Sequence, residues 1–509
     1  MTDPARDETV DRELRATRPS DPPRTQLSEI ARRLGVAVPA SDPVVTGVSL
    51  GSRRVLPGDL YAALPGARAH GASYAAEAVA RGAVAVLTDA EGAAVLTGTD
   101  VPVLVVEQPR RLLGGLAADL YGRPAERLRM IAVTGTQGKT TTTRLADQAF
   151  EAAGIPAGVI GTVGTRVAGE EVRTSLTTPE APDLHGLFAM MRERGVVTCA
   201  MEVSSHALVM GRVDGVVFDV AVFTNLGRDH LDFHADVEEY FRAKATLFTP
   251  ERARIGLVNI DDPYGRRLAA ESDIEILTFS ATGAPADWRA VDVTLAADGS
   301  EFTVVGPDDE WATTRVPIAG DFNVANALAA IAAMVEAGFD LESVAAGLAA
   351  SGGVPGRLEK IEAGQDFHVV VDYAHKPDAV EAALRTLRPL TDGRLIVVIG
   401  AGGDRDMGKR PVMGEIAARL ADVLIVTDDD PRTEDPAAIR AEVLAGATGG
   451  TADIREVGDR RTAIRTALAL ADTGDIVLVA GKGHERGQEV QGVVHPFDDR
   501  DVVREELTR

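Results

Sequence analysis

The sequence predicts an α/β protein of about three domains, at ~100–200 residues per domain for a chain of 509 residues. Two further observations support that class. An apolar strand at 130–134 runs through a glycine-rich loop into a helix that continues to Gly154. Beyond residue 357, strands and helices alternate regularly, which implies a mainly parallel sheet with helices on both faces.

Taken in order, residues 1–25 are charged and proline-containing and read as a mobile tail. The first domain, 26–127, opens with an amphipathic helix at 26–38. Short β-type runs follow at 44–50, 59–63, 83–88 and 101–106, with helices at 73–81 and 110–121. The second domain, 128–353, holds the strand–loop–helix, strands at 196–203 and 218–224, and helices at 237–248 and 324–338. It ends near Gly352-Gly-Val-Pro-Gly356. The third, 354–509, has strands at 367–373, 394–399, 423–427 and 475–480. Its helices lie at 377–387, 411–420, 436–444 and 460–470.

The chain carries 53 Lys and Arg against 77 Asp and Glu, a formal net charge of −24. That balance argues against a nucleic-acid partner but leaves room for small anionic ligands, which need only local positive charge. No apolar run reaches the ~18–20 residues that span a bilayer, and the N-terminal residues lack the apolar core of a signal peptide. A soluble cytoplasmic protein with no membrane partner is expected. The one cysteine, Cys199, excludes an intramolecular disulfide and a cysteine-based zinc site. Lying in the apolar run 196–201, it reads as a buried hydrophobe.

The strongest local signal is Gly135-Thr136-Gln137-Gly138-Lys139-Thr140-Thr141. Glycines let backbone N–H groups approach phosphate oxygens, and the helix N-terminus adds positive potential. The lysine offsets β/γ-phosphate charge, and a threonine hydroxyl can ligate Mg2+. Val133 stands where the first glycine of the common G-x-x-x-x-G-K-[ST] loop would fall, so this is a shorter variant of the P-loop. Three polar clusters also follow strands: Glu202 with Ser204, Ser205 and His206; the stretch 224–232 with His230; and Asp372-Tyr-Ala-His375. A carboxylate at a strand's C-terminal end suits a metal ligand, though each alone would more readily be a capping or solvated group. In the third domain Gly402–Arg410, Asp428–Arg432 and Gly481–Glu485 carry charges of both signs, two of them with many glycines. That mix suits a zwitterionic amino acid; the plain alternative is a set of solvated turns.

In their order, the motifs Gly51-Ser-Arg, Pro57-Gly-Asp-Leu-Tyr, Gly135–Thr141, Glu202-Val-Ser-Ser-His-Ala-Leu, Asp229-His-Leu-Asp, Asp372-Tyr-Ala-His, Gly402-Gly-Asp-Arg-Asp and Gly481-Lys-Gly-His-Glu resemble those of the Mur ligases of peptidoglycan synthesis. The resemblance runs from about residue 26 to 509. It is to the branch that adds the third residue of the stem peptide.

The resemblance implies an N-terminal UDP-binding α/β domain, a central P-loop-type ATPase domain and a C-terminal Rossmann-like domain for the incoming amino acid. Leu50, Ser52 and the turn of Ala67, Arg68 and Ala69 would hold the uridine-diphosphate end of UDP-N-acetylmuramoyl-L-alanyl-D-glutamate. Gly51 and His70 stand where the family usually has aspartate. Thr177, Thr178, Ser204 and Arg212 would grip the muramoyl-dipeptide. Gly135–Thr141 would bind MgATP, with Gln137 in place of the usual asparagine, and Asn323, Arg357, Asp372 and His375 would complete that site. Thr140, Glu202, His230 and Lys244 would serve two Mg2+ ions, Lys244 as the carbamate formed with CO2. Lys139, Lys244, His230 and Glu202 would carry the catalysis, in a chain acting as a monomer.

The implied reaction passes ATP's γ-phosphoryl to the D-glutamate γ-carboxylate, and an amine of the diamino acid displaces phosphate. Closure about hinges near 126–130 and 352–357 would exclude water. His206 and His230 are candidate acceptors of the amine's proton. Arg405, Asp429, Asp430, Pro431, Arg432, Gly481 and Glu485 would receive the diamino acid. Relatives using meso-diaminopimelate usually show Asp-Asn-Pro-Arg at 429–432. Arg432 favours that substrate through its far carboxylate, whereas Asp430 adds a negative charge that would favour lysine, ornithine or diaminobutyrate; the balance falls narrowly on diaminopimelate, because Arg432 would otherwise lack an obvious partner. Two alternatives compete. One is a related amide ligase such as folylpolyglutamate synthetase, disfavoured by the N-terminal domain and Asp429–Arg432. The other is a catalytically silent cell-wall scaffold, disfavoured by the presence of Lys139, Glu202 and Lys244.

Overall fold

The computed structural model describes residues 14–509 except Ala67, Thr97, Ser175, Arg228, Leu231 and Asp232. The chain divides into two compact units. One is Met1–Arg289 with Gly306–Asp308 and Leu328–Gly347; the other is Ala290–Val305, Asp309–Ala327 and Leu348–Arg509.

The first unit begins with a parallel sheet of β1 (Gly47–Ser49), β2 (Asp59–Ala62), β3 (Ala85–Thr88) and β4 (Val103–Val105), in that order. Helices α1 (Leu27–Leu34) and α2 (Pro109–Leu120) contribute Leu27, Ile30, Leu113 and Leu116 to its core. Within residues 14–25, expected to belong to a mobile tail, several side chains and backbone groups are tied to the sheet and to Glu193, although half of the residues are exposed. Leu14 is 1% exposed, Arg18 pairs with Asp59 of β2 at 2.6 Å, and Ser20 N donates to Glu193 at 2.7 Å. Charge and proline hid this, because the partners lie far along the chain.

The nucleotide-loop region is built on β5 (Arg129–Thr134), which leads through the loop into α3 (Lys139–Ala152). After β6 (Ala157–Gly161), β7 (Gly164–Val167) and β8 (Glu170–Val172) come α4 (Ala181–Glu193), β9 (Thr198–Glu202), β10 (Phe218–Phe223), α5 (Val237–Ala245), β11 (Ala253–Asn259) and β12 (Glu275–Ser280). Their order in the sheet is β8-β7-β6-β9-β5-β10-β11-β12, with β7 and β8 antiparallel and the rest parallel. The antiparallel edge was not anticipated. β9 is buried along its whole length, as continuous apolar runs in a parallel sheet are. Cys199 lies within it at 0% exposure, and burial pushes its thiol above the usual range. Because β9 and β10 flank β5 in parallel, the loops after all three emerge side by side, where α/β sheets bind ligands.

His185 of α4 is fully buried; its Nε2 pairs with Asp214 O at 3.1 Å, and Nδ1 has no partner. Protonation would place a second N–H in apolar surroundings, so burial pushes His185 down to about 4 from 6.5. The unfolded chain therefore binds this proton at higher pH than the folded one. Stability is full above about 6.5 and falls as pH drops towards about 4. The loss from this group should reach about 3 kcal/mol. Urea midpoints at pH 7 and pH 4.5 should shift less for His185→Gln than for the unaltered chain; equal shifts would refute the assignment.

The second unit holds an antiparallel pair, β13 (Gly299–Val305) and β14 (Trp311–Val316), and the first part of α6 (Asp321–Glu336). Its main sheet comprises β15 (Glu359–Ile361), β16 (His368–Asp372), β17 (Leu395–Ile399), β18 (Val423–Val426), β19 (Asp453–Glu456) and β20 (Ile476–Ala480), ordered β15-β16-β20-β17-β18-β19. All neighbours are parallel except β15 with β16. Helices α7 (Pro377–Leu387), α8 (Lys409–Leu420), α9 (Pro436–Ala447) and α10 (Arg460–Leu470) follow successive strands. A hairpin of β21 (Gly487–Val490) and β22 (Val493–Pro496) precedes α11 (Asp499–Leu507). The fully buried pair Arg460–Asp499, at 2.6 Å, ties α11 to the start of α10, and Arg460 Nη2 also donates to Ala480 O of β20 at 3.0 Å. Parallel order again brings the C-terminal ends of β16, β20, β17 and β18 together. Among the described residues no helix is long and apolar enough to cross a membrane.

Candidate active site

Gly135 sits at φ 148°, and a Cβ there would lie 1.9 Å from Thr224 Oγ1, so only glycine lets the loop pass the end of β10 this closely. Thr136 N donates to Asn225 O and Gln137 N to Asn225 Oδ1, each at 2.9 Å, and Thr224 Oγ1 donates to Gln137 O at 2.6 Å. Gln137 itself is exposed, so its extra methylene disturbs nothing in the loop. Gly138, at φ 85°, caps α3, whose first turn carries Lys139, Thr140 and Thr141.

Two lysines meet on one atom. Lys139 Nζ donates to Gly135 O at 2.8 Å and to Thr136 O at 3.0 Å. Lys244 Nζ, from α5, donates to the same Gly135 O at 2.8 Å and lies 4.5 Å from the centre of the Tyr240 ring. Lys244 is 1% exposed. Burial first, and then the neighbouring Lys139, hold its amine well below the usual lysine range.

The residues after β9 form a second chain of contacts. Glu202 is buried and accepts from Thr162 N at 2.7 Å and Thr162 Oγ1 at 3.1 Å. Thr162 Oγ1 meets Thr177 Oγ1 at 3.2 Å, and Thr178 Oγ1 donates to Glu202 O at 2.8 Å. Ser204 N donates to Thr178 Oγ1 at 3.3 Å, and Arg212 Nη1 donates to Thr178 O at 3.3 Å. Thus Thr177, Thr178, Ser204, Arg212 and Glu202 do come together. Glu180, which sequence reasoning missed, accepts from Arg212 Nε at 2.9 Å and Arg110 Nη1 at 3.1 Å. A lone glutamate beside a proline carries no sequence signal of that role.

His230 has a left-handed backbone, φ 54°, and its Nε2 lies 3.5 Å from Asp229. Its ring is 4.9 Å from His206, which stacks on Phe233 at 3.9 Å. Among the described residues no group of three or more His, Cys, Asp and Glu side chains is placed to hold a metal. Mg2+ needs only one or two carboxylates, the rest of its shell coming from phosphate oxygens and water. Glu202 fits such a site: its buried carboxylate accepts from a backbone N–H and a hydroxyl, both neutral donors, while Arg144 attracts it electrostatically. Thr140 adds a hydroxyl oxygen; His230, a nitrogen donor, suits a hard cation less well.

In the N-terminal sheet, Leu50 and Ser52 follow β1, while Arg68 and Ala69 follow the adjacent β2, both exposed. Ala67 lies outside the described residues. Ser52 Oγ donates to Glu77 at 2.6 Å. His70, standing for the usual aspartate, caps the following turn as an aspartate would, with Nδ1 accepting from Ala72 N at 3.0 Å.

In the second unit, Asn323 is buried and donates to Ala319 O at 2.8 Å. Asp372 accepts from Leu358 N at 2.7 Å and Ala374 N at 2.8 Å, and burial raises it above the usual carboxylate range. Arg357 lies over the Tyr373 ring at 4.7 Å. His375 Nδ1 meets Tyr373 O at 2.8 Å, and burial pushes this ring down to about 4. Tyr373 OH donates to Glu485 at 3.3 Å, which links these residues to the expected amino-acid pocket. In that pocket a Cβ on Gly403 would lie 2.0 Å from Pro431 O, and Gly403 N donates to Asp430 O at 2.8 Å. Gly481, at φ 125°, donates to Asp372 O at 3.1 Å. Arg405 stays exposed, with its Cγ 3.9 Å from a Cβ built on Gly402.

The charge on Asp430 has an internal partner. Its Oδ1 accepts from Lys482 Nζ at 2.8 Å and Glu489 N at 2.9 Å. Lys482 is fully buried and also reaches Asp429 at 3.3 Å. Burial works to raise Asp429, but Lys482 and Arg460 hold it below its ordinary value. Lys482 is shared by Asp429, Asp430 and Glu485, so it offsets part of the negative charge that would have favoured a monocarboxylic diamine.

A glycine loop opening a helix at the centre of a parallel sheet, with two lysines on one loop carbonyl, defines a nucleotide-binding α/β protein. The chain belongs to the Mur ligase family. The Mur ligase middle domain matches residues 133–334, the Mur ligase glutamate ligase domain 356–483, and the Mur ligase family catalytic domain 44–121. It is 55% identical over 495 residues to UDP-N-acetylmuramoyl-L-alanyl-D-glutamate–2,6-diaminopimelate ligase of Streptomyces avermitilis, covering 96% of this chain and 98% of that one. It is 50% identical over 497 residues to the ligase of the same name from Corynebacterium efficiens, covering 94% of each. A solved structure of a ligase of that name superposes with a TM-score of 0.70 at 35% identity, covering 95% of this chain and 99% of that one.

Proposed function

We propose that this chain is an ATP-dependent ligase joining 2,6-diaminopimelate to the D-glutamate γ-carboxylate of UDP-N-acetylmuramoyl-L-alanyl-D-glutamate. The observation that carries the reading is the convergence of Lys139 and Lys244 on Gly135 O beside a glycine loop. The extent of identity to ligases of that name disfavours a folylpolyglutamate synthetase.

A carboxylate is a poor electrophile because oxide is a poor leaving group. Transfer of ATP's γ-phosphoryl to it gives an acyl phosphate and ADP; the amine then attacks the acyl carbon and phosphate leaves. Lys139 and the loop N–H groups bind and orient the β- and γ-phosphates. Asn323, Arg357, Asp372 and His375 are the second unit's candidate nucleotide-binding residues. Leu50, Ser52, Arg68 and Ala69 hold the uridine diphosphate. Thr177, Thr178, Ser204 and Arg212 hold the dipeptide beside Glu202. Thr140 and Glu202 would hold Mg2+, which supplies counter-charge to the transferring phosphoryl. Lys244, whose burial favours the neutral amine, can add CO2: its lone pair forms the N–C bond, a proton leaves, and an anion results that would support the cation site. His206 and His230 are the titratable groups that could take the amine's proton. Arg432 binds the far carboxylate of diaminopimelate, and Arg405, Asp429, Gly481 and Glu485 receive its remaining polar groups. Use of ATP and a UDP-linked precursor makes the cytoplasm its compartment.

The test is ADP formation with MgATP and UDP-N-acetylmuramoyl-L-alanyl-D-glutamate while the amino acid is varied. Diaminopimelate should exceed L-lysine, L-ornithine and L-diaminobutyrate by at least ~10-fold in kcat/KM. A preference for a monocarboxylic diamine would mean that Asp430 faces the substrate. No turnover with any of them would favour a silent scaffold.

A further inference from the structure

The hairpin of β21 and β22 has no part in the readings above, yet it grips the residue on which amino-acid choice depends. Its turn, Gln491–Gly492, has φ 51° and 76°, the paired positive values that match the twist of a tight two-residue hairpin. One strand lies alongside the loop that carries Arg432. Arg432 N donates to Glu489 O at 3.0 Å, and Gln491 N donates to Arg432 O at 2.7 Å. Gln488 Nε2 donates to Asp429 O at 2.7 Å. Arg432 is itself left-handed, φ 51°, a conformation that costs a residue with a Cβ energy. Both of its backbone polar groups are bonded to the hairpin, which therefore holds that conformation in place. The side chain is gripped too. Nε lies 3.3 Å from Glu489 Oε2, and Nη1 donates to Gly403 O at 2.7 Å. Nη2 lies 3.7 Å from Asp430. These contacts leave the Nη1–Nη2 edge with hydrogens to spare, the edge a carboxylate engages in bidentate fashion.

We infer that the hairpin Gly487–Pro496 is a specificity element, in which Glu489, with Asp430 clamped by Lys482, acts as a positioning residue that aims the Arg432 guanidinium at a second carboxylate on the incoming amino acid. The inference rests on the proposed ligase activity. Asp430 joins loop to hairpin through Glu489 N, so its carboxylate positions Arg432 rather than meeting the substrate's ammonium.

The experiment compares Glu489→Ala, Glu489→Gln and the unaltered chain in the ADP-forming assay. Glu489→Ala removes the acceptor for Arg432 Nε but keeps the hairpin's backbone bonds. It should raise KM for diaminopimelate about tenfold. Its kcat, and KM for ATP and for the UDP-linked dipeptide, should stay within about twofold. Selectivity over L-lysine should fall by the same factor, and Glu489→Gln, which still offers an oxygen to Nε, should recover most of the loss. An unchanged KM, a parallel rise for all three substrates, or no recovery with Gln would each overturn the inference. If the unaltered chain itself prefers lysine, the substrate reading fails first and takes this inference with it, a result distinct from an insensitive Glu489→Ala in a diaminopimelate-selective enzyme.

Discussion

Lys139→Met is expected to cut substrate-stimulated ADP formation at least ~10³-fold, because in the proposed reaction it removes the charge that would face the β- and γ-phosphates in a loop otherwise built from backbone N–H groups. The fold should scarcely notice. Lys139 Nζ bonds to the carbonyls of Gly135 and Thr136, which belong to its own loop, and α3 keeps its helical backbone in the variant. Two measurements separate the effects: steady-state ADP release, and the thermal midpoint of the ligand-free protein, which should shift by no more than a few degrees. Activity within about tenfold of the unaltered chain would show that Lys139 does not carry the phosphate charge.

Lys244→Ala should be similarly severe, with a loss of about 10²–10³-fold if the lysine acts as a carbamate beside the cation site. The unaltered chain offers a reversible version of the same test. In CO2-depleted buffer its activity should fall and return with bicarbonate, while Lys244→Ala should respond to neither. Burial, together with Lys139, favours the neutral amine. A lysine whose folded value is depressed is neutral above that value and gains a proton as pH falls through it, so the bicarbonate requirement should steepen towards acid. 13C-labelled bicarbonate should give a carbamate carbonyl resonance that Lys244→Ala lacks. Activity indifferent to bicarbonate, with no such resonance, would remove the carbamate from the mechanism.

Much of the architecture was legible because its signals are local. The strand at 130–134, its glycine loop and the helix beyond declare themselves over contiguous residues. So do the apolar runs of β9, β10, β16, β17, β18 and β20, whose burial on both faces leaves no alternation. What escaped was marked by partners distant in sequence. Residues 14–25 look like a solvated tail until Asp59 and Glu193 are brought to Arg18 and Ser20. The strands β7, β8, β13 and β14 are partly exposed and mixed in polarity, so they carried no apolar run. The hairpin β21–β22 did have a signal, Gln491-Gly492 between two extended runs, though its importance lies in which loop it touches.

The sequence by itself determined the class of chemistry. A phosphate loop is made of consecutive residues whose backbone does the binding, and the order of motifs from Gly51 to Glu485 is a property of the chain alone. Only the tertiary structure decided the electrostatics. Lys139 and Lys244 share the Gly135 carbonyl because β5 and the segment leading to α5 bring them there. Asp430, an unresolved negative charge in the sequence, pairs with Lys482, 52 residues away, because β20 lies two strands from β18 in the sheet. The physical reason is the same in both cases: a charge acts on whatever lies within a few ångströms, and in a parallel sheet that neighbour is set by strand order rather than by position along the chain.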